Sequence, residues 1–329
     1  MGPGLLQGQV CYRARAAIGS DLPQGRAVIR FGSHRNPPQY RPSPAVALMF
    51  LLAAFCAALL AAAAALSDAE LRSIAERLYA ADRNRAAPGE LRVRLQHRVQ
   101  TGNGDGNDFA PLPLFDHVSE ALLRRSPHSE LLPLLDNYEM ATGRDELETE
   151  QERDEQRRFI DAVMGEFSTA LMDSGLWPSR SALRSALHQM WFGRYSRSGG
   201  AALDSSGFEH VFVGELKKGR VSGCHSWLQL LQLERSGRLN YLSYSYQSGP
   251  SLPAVLGLQF RIDGHLKALG STLLGSSPAM DVALYSLCFT ARPDRVCNVT
   301  LGGQPVAVQT YSWDGDQERF VASAYPISP

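Results

Sequence analysis

Three side chains in the second half of this 329-residue chain have the chemistry of an acid–base site. His210 lies in GFEHVFVGE at residues 207–215, and His225 follows fifteen positions later in GCHSW at residues 223–227. Histidine gives and takes protons near neutral pH, so two can act as base and acid on opposite sides of one reacting centre. Lys267, in GHLKALGS at residues 264–271, supplies a cation for charge that develops between them.

Such a combination suits cleavage of a phosphodiester in RNA. The 2′-hydroxyl must lose a proton and the 5′-oxygen leaving group must gain one, while negative charge builds on the phosphate oxygens. On spacing alone, a lone histidine in an alternating segment is more often structural. The neighbouring pair Lys217 and Lys218 also rivals Lys267 as the cation.

The element that would carry His210 is predicted from alternation. Bulky and polar residues alternate over residues 208–213, which is typical of a β-strand and places Glu209 and Glu215 on the face opposite His210. These two glutamates are the acidic residues nearest the site, either as metal ligands or as supports of the loop, and the metal ligands stay open. After a basic, glycine-punctuated turn, His225 precedes an apolar run that predicts a short helix ending at Gly237.

Several segments resemble the EndoU family of uridylate-specific endoribonucleases, and its secreted animal members most. The similar segments are GFEHVFVGE at 207–215, GCHSW at 223–227, GSSP at 275–278, ALYSLCF at 283–289 and ASAYP at 322–326. The resemblance covers residues 67–329. It implies that His210, His225 and Lys267 form a catalytic triad, that single-stranded RNA is cut next to uridines to leave a 2′,3′-cyclic phosphate, and that the enzyme depends on Mn2+.

The resemblance also indicates where the base is read. In the final strand, Val321, Ser323 and Tyr325 are predicted to share a face, and the last two match the family's hydroxyl-x-Tyr element, with Ser in place of a more usual Thr. A pyrimidine needs a hydroxyl or amide at its edge and an aromatic ring against its face. Ser271 is a second hydroxyl for this role, and a core position is the alternative for Tyr325.

The order of elements predicts an α+β fold, with an N-terminal helical part followed by a mostly antiparallel β half. Helical patterns occur after Ser67 and at 130–138, 145–172 and 179–192; strands are predicted at 208–213, 238–247, 255–262, 281–290, 296–301, 304–313 and 318–325. Residues 67–195 would thus be mainly helical and 196–329 mainly β. The resemblance implies two small sheets flanking a cleft.

The N-terminal part predicts export. Residues 1–44 are rich in Gly, Pro and Arg and favour a disordered leader, and residues 45–66 are 22 apolar residues without a charge. The latter are long enough for a signal anchor, but their Ala-rich end favours a cleaved signal peptide, with Met49 as an alternative start. A secreted protein is therefore expected, without stable membrane contact once the signal is cleaved. A Cys288–Cys297 disulfide is feasible, and Asn298 begins a glycosylation sequon.

The charge distribution of the chain limits how it could bind RNA. Six arginines and one acidic residue lie in residues 1–66, so the remainder holds 27 basic and 32 acidic residues, a net charge of −5. RNA affinity must then come from a local patch of basic residues.

Two classes of protease are disfavoured by the motifs. A thiol protease is disfavoured because Cys224 and His225 are sequence neighbours. A serine protease is disfavoured because there is no GxSxG motif and no acid placed to orient a histidine.

The expected partner is uridine-containing single-stranded RNA, with no DNA as substrate, and the expected state is a monomer. The alternative is a secreted RNA-binding or interaction protein on the same fold without turnover.

In the glycine-rich loop at 102–108, glycines alternate with acidic and amide residues. The loop lacks the distal glutamate of an EF-hand, which favours a solvated turn over a calcium site.

Overall fold

The structure, a computed structural model, describes residues 66–100, 106–249, 251–315 and 318–327. Most of its helices precede residue 195, as predicted. The helices are α1 (Asp68–Ala81), α2 (Glu120–Leu123), α3 (His128–Leu131), α4 (Glu150–Met172), α5 (Arg180–Phe192), α6 (Trp227–Arg235) and α7 (Pro278–Ala291). A capping box begins α1, with Ser67 and Glu70 each bonded to the other's backbone amide. A 3-10 turn, Leu132–Asp136, follows α3.

The strands form two small pairs and two larger sheets. They are β1 (Leu91–Val93), β2 (Phe115–Val118), β3 (Arg194–Tyr195), β4 (Ser205–Ser206), β5 (Glu215–Lys217), β6 (Arg220–Ser222), β7 (Leu239–Gln247), β8 (Ala254–Ile262), β9 (His265–Leu274), β10 (Val296–Leu301), β11 (Gln304–Asp314) and β12 (Arg319–Ile327). One sheet has the order β5-β6-β9-β8-β7, with only the β6–β9 pair parallel, and the other is the antiparallel sheet β10-β11-β12. The predicted α+β class with two sheets in the second half is confirmed.

The strand predicted at 281–290 is wrong, because these residues lie in α7. Ser277 caps this helix by accepting a hydrogen bond from the Met280 amide, and Pro278 occupies its first turn. Nearly every residue of α7 is buried, since it packs against α4 and against both β11 and β12. An element that is apolar on all sides loses the periodicity that separates helix from strand.

The strand predicted at 208–213 is also wrong. Glu209–Val213 form a single π-helical turn, closed by a hydrogen bond from the Gly214 amide to the Glu209 carbonyl. Phe208 and Phe212 lie on one side of this turn with their rings stacked at 4.9 Å. All five residues of the turn are buried, so the alternation of bulky and polar types did not report an inner and an outer face.

Three further differences concern the elements that carry charge. No strand was predicted for the segment of Lys267, but it forms strand β9, which is paired along its length with β8. The basic turn contains strands β5 and β6. The first turn expected of α4 at 145–149 is not helical, because Thr149 caps the helix that begins at Glu150.

The N-terminal predictions lie outside the described residues. This holds for the leader at 1–44, for residues 45–65 of the apolar stretch, and for 101–105 of the glycine-rich loop. Within the described ranges, no helix is long and apolar enough to cross a membrane.

Candidate active site

The imidazole of His210 is oriented by Glu215. The π-helical turn ends at Gly214, whose φ of +95° turns the chain so that the first residue of β5 faces back to the histidine. His210 Nδ1 lies 2.7 Å from Glu215 Oε2, and both side chains are buried. The prediction that Glu215 lies on the face opposite His210 is therefore wrong, and so is the statement that no acid is placed to orient a histidine.

Glu215 is held as a carboxylate by three partners. Ser205 Oγ donates to Oε1 at 2.5 Å, and Arg197 Nε lies 3.1 Å from Oε2, which also meets His210. Burial alone would raise the pKa of Glu215, but the hydrogen bond from His210, the charge of Arg197 and the hydrogen bond from Ser205 outweigh it and keep the pKa below its usual range. Burial lowers the pKa of His210 to about 4, although Glu215 opposes this. The neutral His210 ring thus donates from Nδ1 and leaves Nε2 unprotonated.

The two histidines are connected through their backbones. The Cys224 amide donates to the His210 carbonyl at 2.9 Å, and the His225 amide donates to the Val211 carbonyl at 2.7 Å. Gly223 makes this approach possible, because its φ is +67° and a Cβ there would lie 1.8 Å from the His210 carbonyl oxygen. The spacing of the imidazoles therefore depends on main-chain contacts.

His225 is fixed on two sides. Its Nδ1 donates to the Ser271 carbonyl at 2.8 Å, which leaves Nε2 as the acceptor in the neutral ring. The ring of Tyr325 stacks on it with centroids 4.7 Å apart and planes at 15°. Burial, followed by the charge of Lys267, lowers the pKa of His225 well below its usual value. Both imidazoles are therefore neutral at pH 7 in the free protein.

Lys267 points into the same cleft as the two histidines. Desolvation lowers its pKa to about 8, against the opposing influence of Cys224 and Glu215. The rival Lys217 does not line this cleft, and its Nζ donates to the Arg197 carbonyl at 3.1 Å. Geometry thus favours Lys267 as the cation of the site.

The cleft lies between the two larger sheets and has a volume of about 590 Å³. Ser271 lines it from β9, and Ser323 and Tyr325 line it from β12. Val321, predicted to share their face, is fully buried and does not line it, because the β11–β12 register shifts between Tyr311 and Ser312.

Two cleft residues escaped the sequence analysis. Arg197 donates from Nη2 to the Ala322 carbonyl at 2.6 Å as well as contacting Glu215, so it joins β12 to the histidine site. No sequence signal distinguished it from other arginines. Tyr311 lines the cleft from β11. Its position in a predicted strand next to the strand of Ser323 and Tyr325 could have indicated that it lies near the base-binding residues.

Glu209 does not support the cleft. Its carboxyl group is fully buried, and neither oxygen has a hydrogen-bond partner among the described residues. Burial, with the nearby charges of Glu146 and Glu215, raises its pKa to about 10, so the group is neutral at pH 7.

The part of the chain that the structure describes contains no set of side chains arranged to bind a metal ion. No group of three or more His, Cys, Asp or Glu side chains there is arranged to hold an ion. Mn2+ favours carboxylate and carbonyl oxygens, whereas Glu215 is occupied by its three partners and Glu209 lies off the cleft. Asp108, at the end of the glycine-rich loop, accepts from the Ala110 amide and from Asn240. The residues present do not fit the implied ion.

The predicted disulfide is confirmed. Cys288 and Cys297 are bonded, with Cα atoms 5.6 Å apart, and the bond joins α7 to β10, not two strands as expected. Asn298, next to it, is exposed. Cys224 is free and buried, and burial raises the pKa of its thiol to about 12, which is contrary to a nucleophile.

Comparison with known proteins identifies the class that this fold and site define. The family described as Endoribonuclease XendoU matches residues 70–326, which is most of the chain. The chain belongs to this family, as the resemblance of its motifs predicted.

The relatives and a solved structure agree with this assignment. The chain is 43% identical over 275 residues to uridylate-specific endoribonuclease D of Xenopus laevis, covering 80% of this chain and 90% of that protein. It is 41% identical over 276 residues to the Homo sapiens uridylate-specific endoribonuclease, covering 80% and 67%. The structure of XendoU, a splicing-independent snoRNA processing endoribonuclease, matches with a TM-score of 0.64 at 32% identity, over 78% of this chain and 96% of that one.

Proposed function

We propose that this protein is an endoribonuclease that cuts single-stranded RNA at uridylates and leaves a 2′,3′-cyclic phosphate. The observation that carries the proposal is that His210, His225 and Lys267 line one cleft. Relatives more than 40% identical bear the name uridylate-specific endoribonuclease. The requirement for a 2′-hydroxyl nucleophile makes RNA the substrate and excludes DNA. The proposed enzyme acts as a monomer.

His225 is the general base in this mechanism. Because its Nδ1–H donates a hydrogen bond to the neutral Ser271 carbonyl, the ring presents an unprotonated Nε2 to the cleft. This nitrogen takes the proton of the uridine 2′-hydroxyl as its oxygen attacks the phosphorus. The stacked Tyr325 holds the ring during this transfer.

His210 is the general acid, because only its imidazolium has a carboxylate partner. The phosphate brings negative charge beside the ring, which favours a proton on Nε2, and Glu215 stabilises the resulting positive charge through Nδ1. As the P–O5′ bond breaks, His210 gives this proton to the leaving oxygen. Lys267 stabilises the additional charge on the phosphate oxygens during the transfer.

Dependence on manganese is implied by the family resemblance. The described carboxylates do not assemble an ion site on the cleft.

The test is a cleavage assay on short oligonucleotides that contain one uridine, with and without MnCl2. Wild-type protein should yield a product ending in a 2′,3′-cyclic phosphate by mass spectrometry, and a 2′-deoxyuridine substrate should resist. His210→Ala and His225→Ala should each lose roughly 10²–10⁴-fold in rate while remaining folded by circular dichroism. Retention of more than about a tenth of the rate in either variant contradicts the assignment. Tight binding of RNA by wild type without any turnover supports the alternative, a secreted RNA-binding protein.

We further propose that the protein is secreted, with residues 45–66 cleaved as a signal peptide. A disulfide such as Cys288–Cys297 forms and persists in oxidising compartments, and the exposed Asn298 is accessible to a glycosyltransferase. Intact-mass analysis of protein from the culture medium should find a chain that begins at residue 66–68, is two hydrogens lighter than the reduced chain, and carries any glycan. Full-length protein in the membrane fraction indicates a signal anchor instead.

A further inference from the structure

Two large apolar side chains lie exposed on the cleft that holds the histidines. Leu269 on β9 is 59% exposed and Tyr311 on β11 is 47% exposed, and both line the cleft. They come from different sheets, so one stands on each wall. Exposed apolar groups inside a cleft are typical of a surface that is covered by a ligand.

Tyr311 is placed beside the residues assigned to uridine. It is the direct strand partner of Ser323, and its ring lies 6.4 Å from that of Tyr325 with planes at 34°. The face of Tyr325 that meets His225 is already covered, whereas Tyr311 retains open ring surface. The cleft therefore continues past the uridine position onto an unused aromatic face.

We propose that Leu269 and Tyr311 form a second base subsite, which receives the nucleobase adjacent to the cleaved uridine. This inference rests on the proposed function. Every base has a π face, so stacking on Tyr311 is tolerant of sequence, and the leucine covers apolar base surface from the other wall.

The charge of the chain supports stacking as the source of affinity. The residues after position 66 carry a net charge of −5, so long-range attraction cannot hold RNA on this protein. The cationic side chains on the cleft are Arg197, which is engaged with Glu215, and Lys267, which serves the reacting phosphate. A neighbouring nucleotide is therefore expected to be held by its base more than by its phosphate.

The experiment removes the base from the substrate and its partner from the protein. Three oligonucleotides with one uridine are compared: one intact, one abasic on the 5′ side of the uridine and one abasic on the 3′ side. For wild type, one abasic substrate should lose about 5- to 150-fold in kcat/KM, the range given by a base–aromatic stack of about 1–3 kcal/mol. Tyr311→Ala should be slow on the intact substrate and lose most of this difference, and Leu269→Ala should lose part of it.

Matched controls are available on the surface. Phe109 is 41% exposed and Leu147 is 87% exposed, and neither lines the cleft. Phe109→Ala and Leu147→Ala should keep the wild-type ratio between intact and abasic substrates, and Tyr311→Phe should keep it because the ring is retained. An equal ratio in wild type and Tyr311→Ala on both sides of the uridine overturns the subsite.

A binding measurement separates this inference from the proposed function. The anisotropy of the same oligonucleotides, made uncleavable with 2′-deoxyuridine, reports the subsite without chemistry. If wild type fails to cleave but its affinity still depends on the neighbouring base and on Tyr311, the catalytic proposal fails and the subsite stands. If wild type cleaves and neither affinity nor rate depends on that base, the subsite alone is wrong.

Discussion

His210 Nδ1 and Glu215 Oε2 lie 2.7 Å apart in the buried base of the cleft. A carboxylate at this position fixes the ring orientation and stabilises the imidazolium that a general acid requires. The pair acts as a unit, because Glu215 is fully buried and does not line the cleft itself, whereas His210 does.

Glu215→Gln should therefore lower kcat/KM by roughly 10²–10⁴-fold, as expected when general acid catalysis is lost. The amide can donate to Nδ1 and select the wrong tautomer, and it removes the charge that favours the imidazolium. The pKa of His210, followed by NMR in uncleavable RNA, should fall in the variant. Ser205→Ala removes the bond to the other carboxylate oxygen and the bond that Ser205 Oγ accepts from Arg197 Nε, and neither reaches His210, so it should have a smaller effect on both measurements. A Glu215→Gln enzyme with normal rate and normal His210 titration contradicts this role.

Lys267 should determine the alkaline limb of the pH profile. Its pKa of about 8 lies below the usual value, so the ammonium is present at pH 7 and is lost as the pH rises through 8. We expect kcat/KM to fall above that pH. Lys267→Arg should remove this limb, because a guanidinium stays charged throughout. A limb that is unchanged in Lys267→Arg assigns the titration to another group.

Lys267→Ala tests the same residue by deletion. The loss of one preorganised charge should cost about 3–4 kcal/mol of transition-state stabilisation, or roughly 10²–10³-fold in kcat. Lys217→Ala is the matched control, since Lys217 does not line the cleft and donates to the backbone carbonyl of Arg197. If the control variant is the slower enzyme, the wrong lysine has been chosen.

Ser323 and Tyr325 should separate base recognition from chemistry. Ser323→Ala should lower cleavage at uridine far more than the residual cleavage at cytidine. Tyr325→Ala should lower cleavage at every base as well as the preference for uridine, because its ring also stacks on His225. Tyr325→Phe keeps this stack and isolates the hydroxyl. The measurement is the ratio of kcat/KM for uridine to that for cytidine oligonucleotides, which reports the preference for uridine. A constant ratio in all three variants means that other residues recognise uridine.

Gly223→Ala should destabilise the protein, because the new Cβ would meet the His210 carbonyl oxygen at 1.8 Å. The backbone strain alone costs about 1–3 kcal/mol, and the clash adds to it. Gly219→Ala is the control, since its φ of +74° is similar but open space surrounds it. Denaturant unfolding should place Gly223→Ala below the control in free energy of unfolding. Equal stabilities mean that the two histidine segments can separate at little cost.

The sequence was sufficient for features that depend on local chemistry. The capping box at Ser67, the hairpin glycines between β10 and β11, and the disulfide partners all follow from residue type and short spacing. His210, His225 and Lys267 were predicted to be catalytic because their motifs resemble a family, and the family itself is confirmed. Their spacing alone had favoured structural roles.

Tertiary packing decided the rest. His210 meets Glu215 because a buried π-helical turn replaces the predicted strand. All five residues of that turn are buried, so the alternation of bulky and polar types in the sequence did not mark an inner and an outer face. The helix α7 was mistaken for a strand for the same reason. Periodicity reports a boundary between core and solvent, so it carries no information where an element is surrounded by protein on every side.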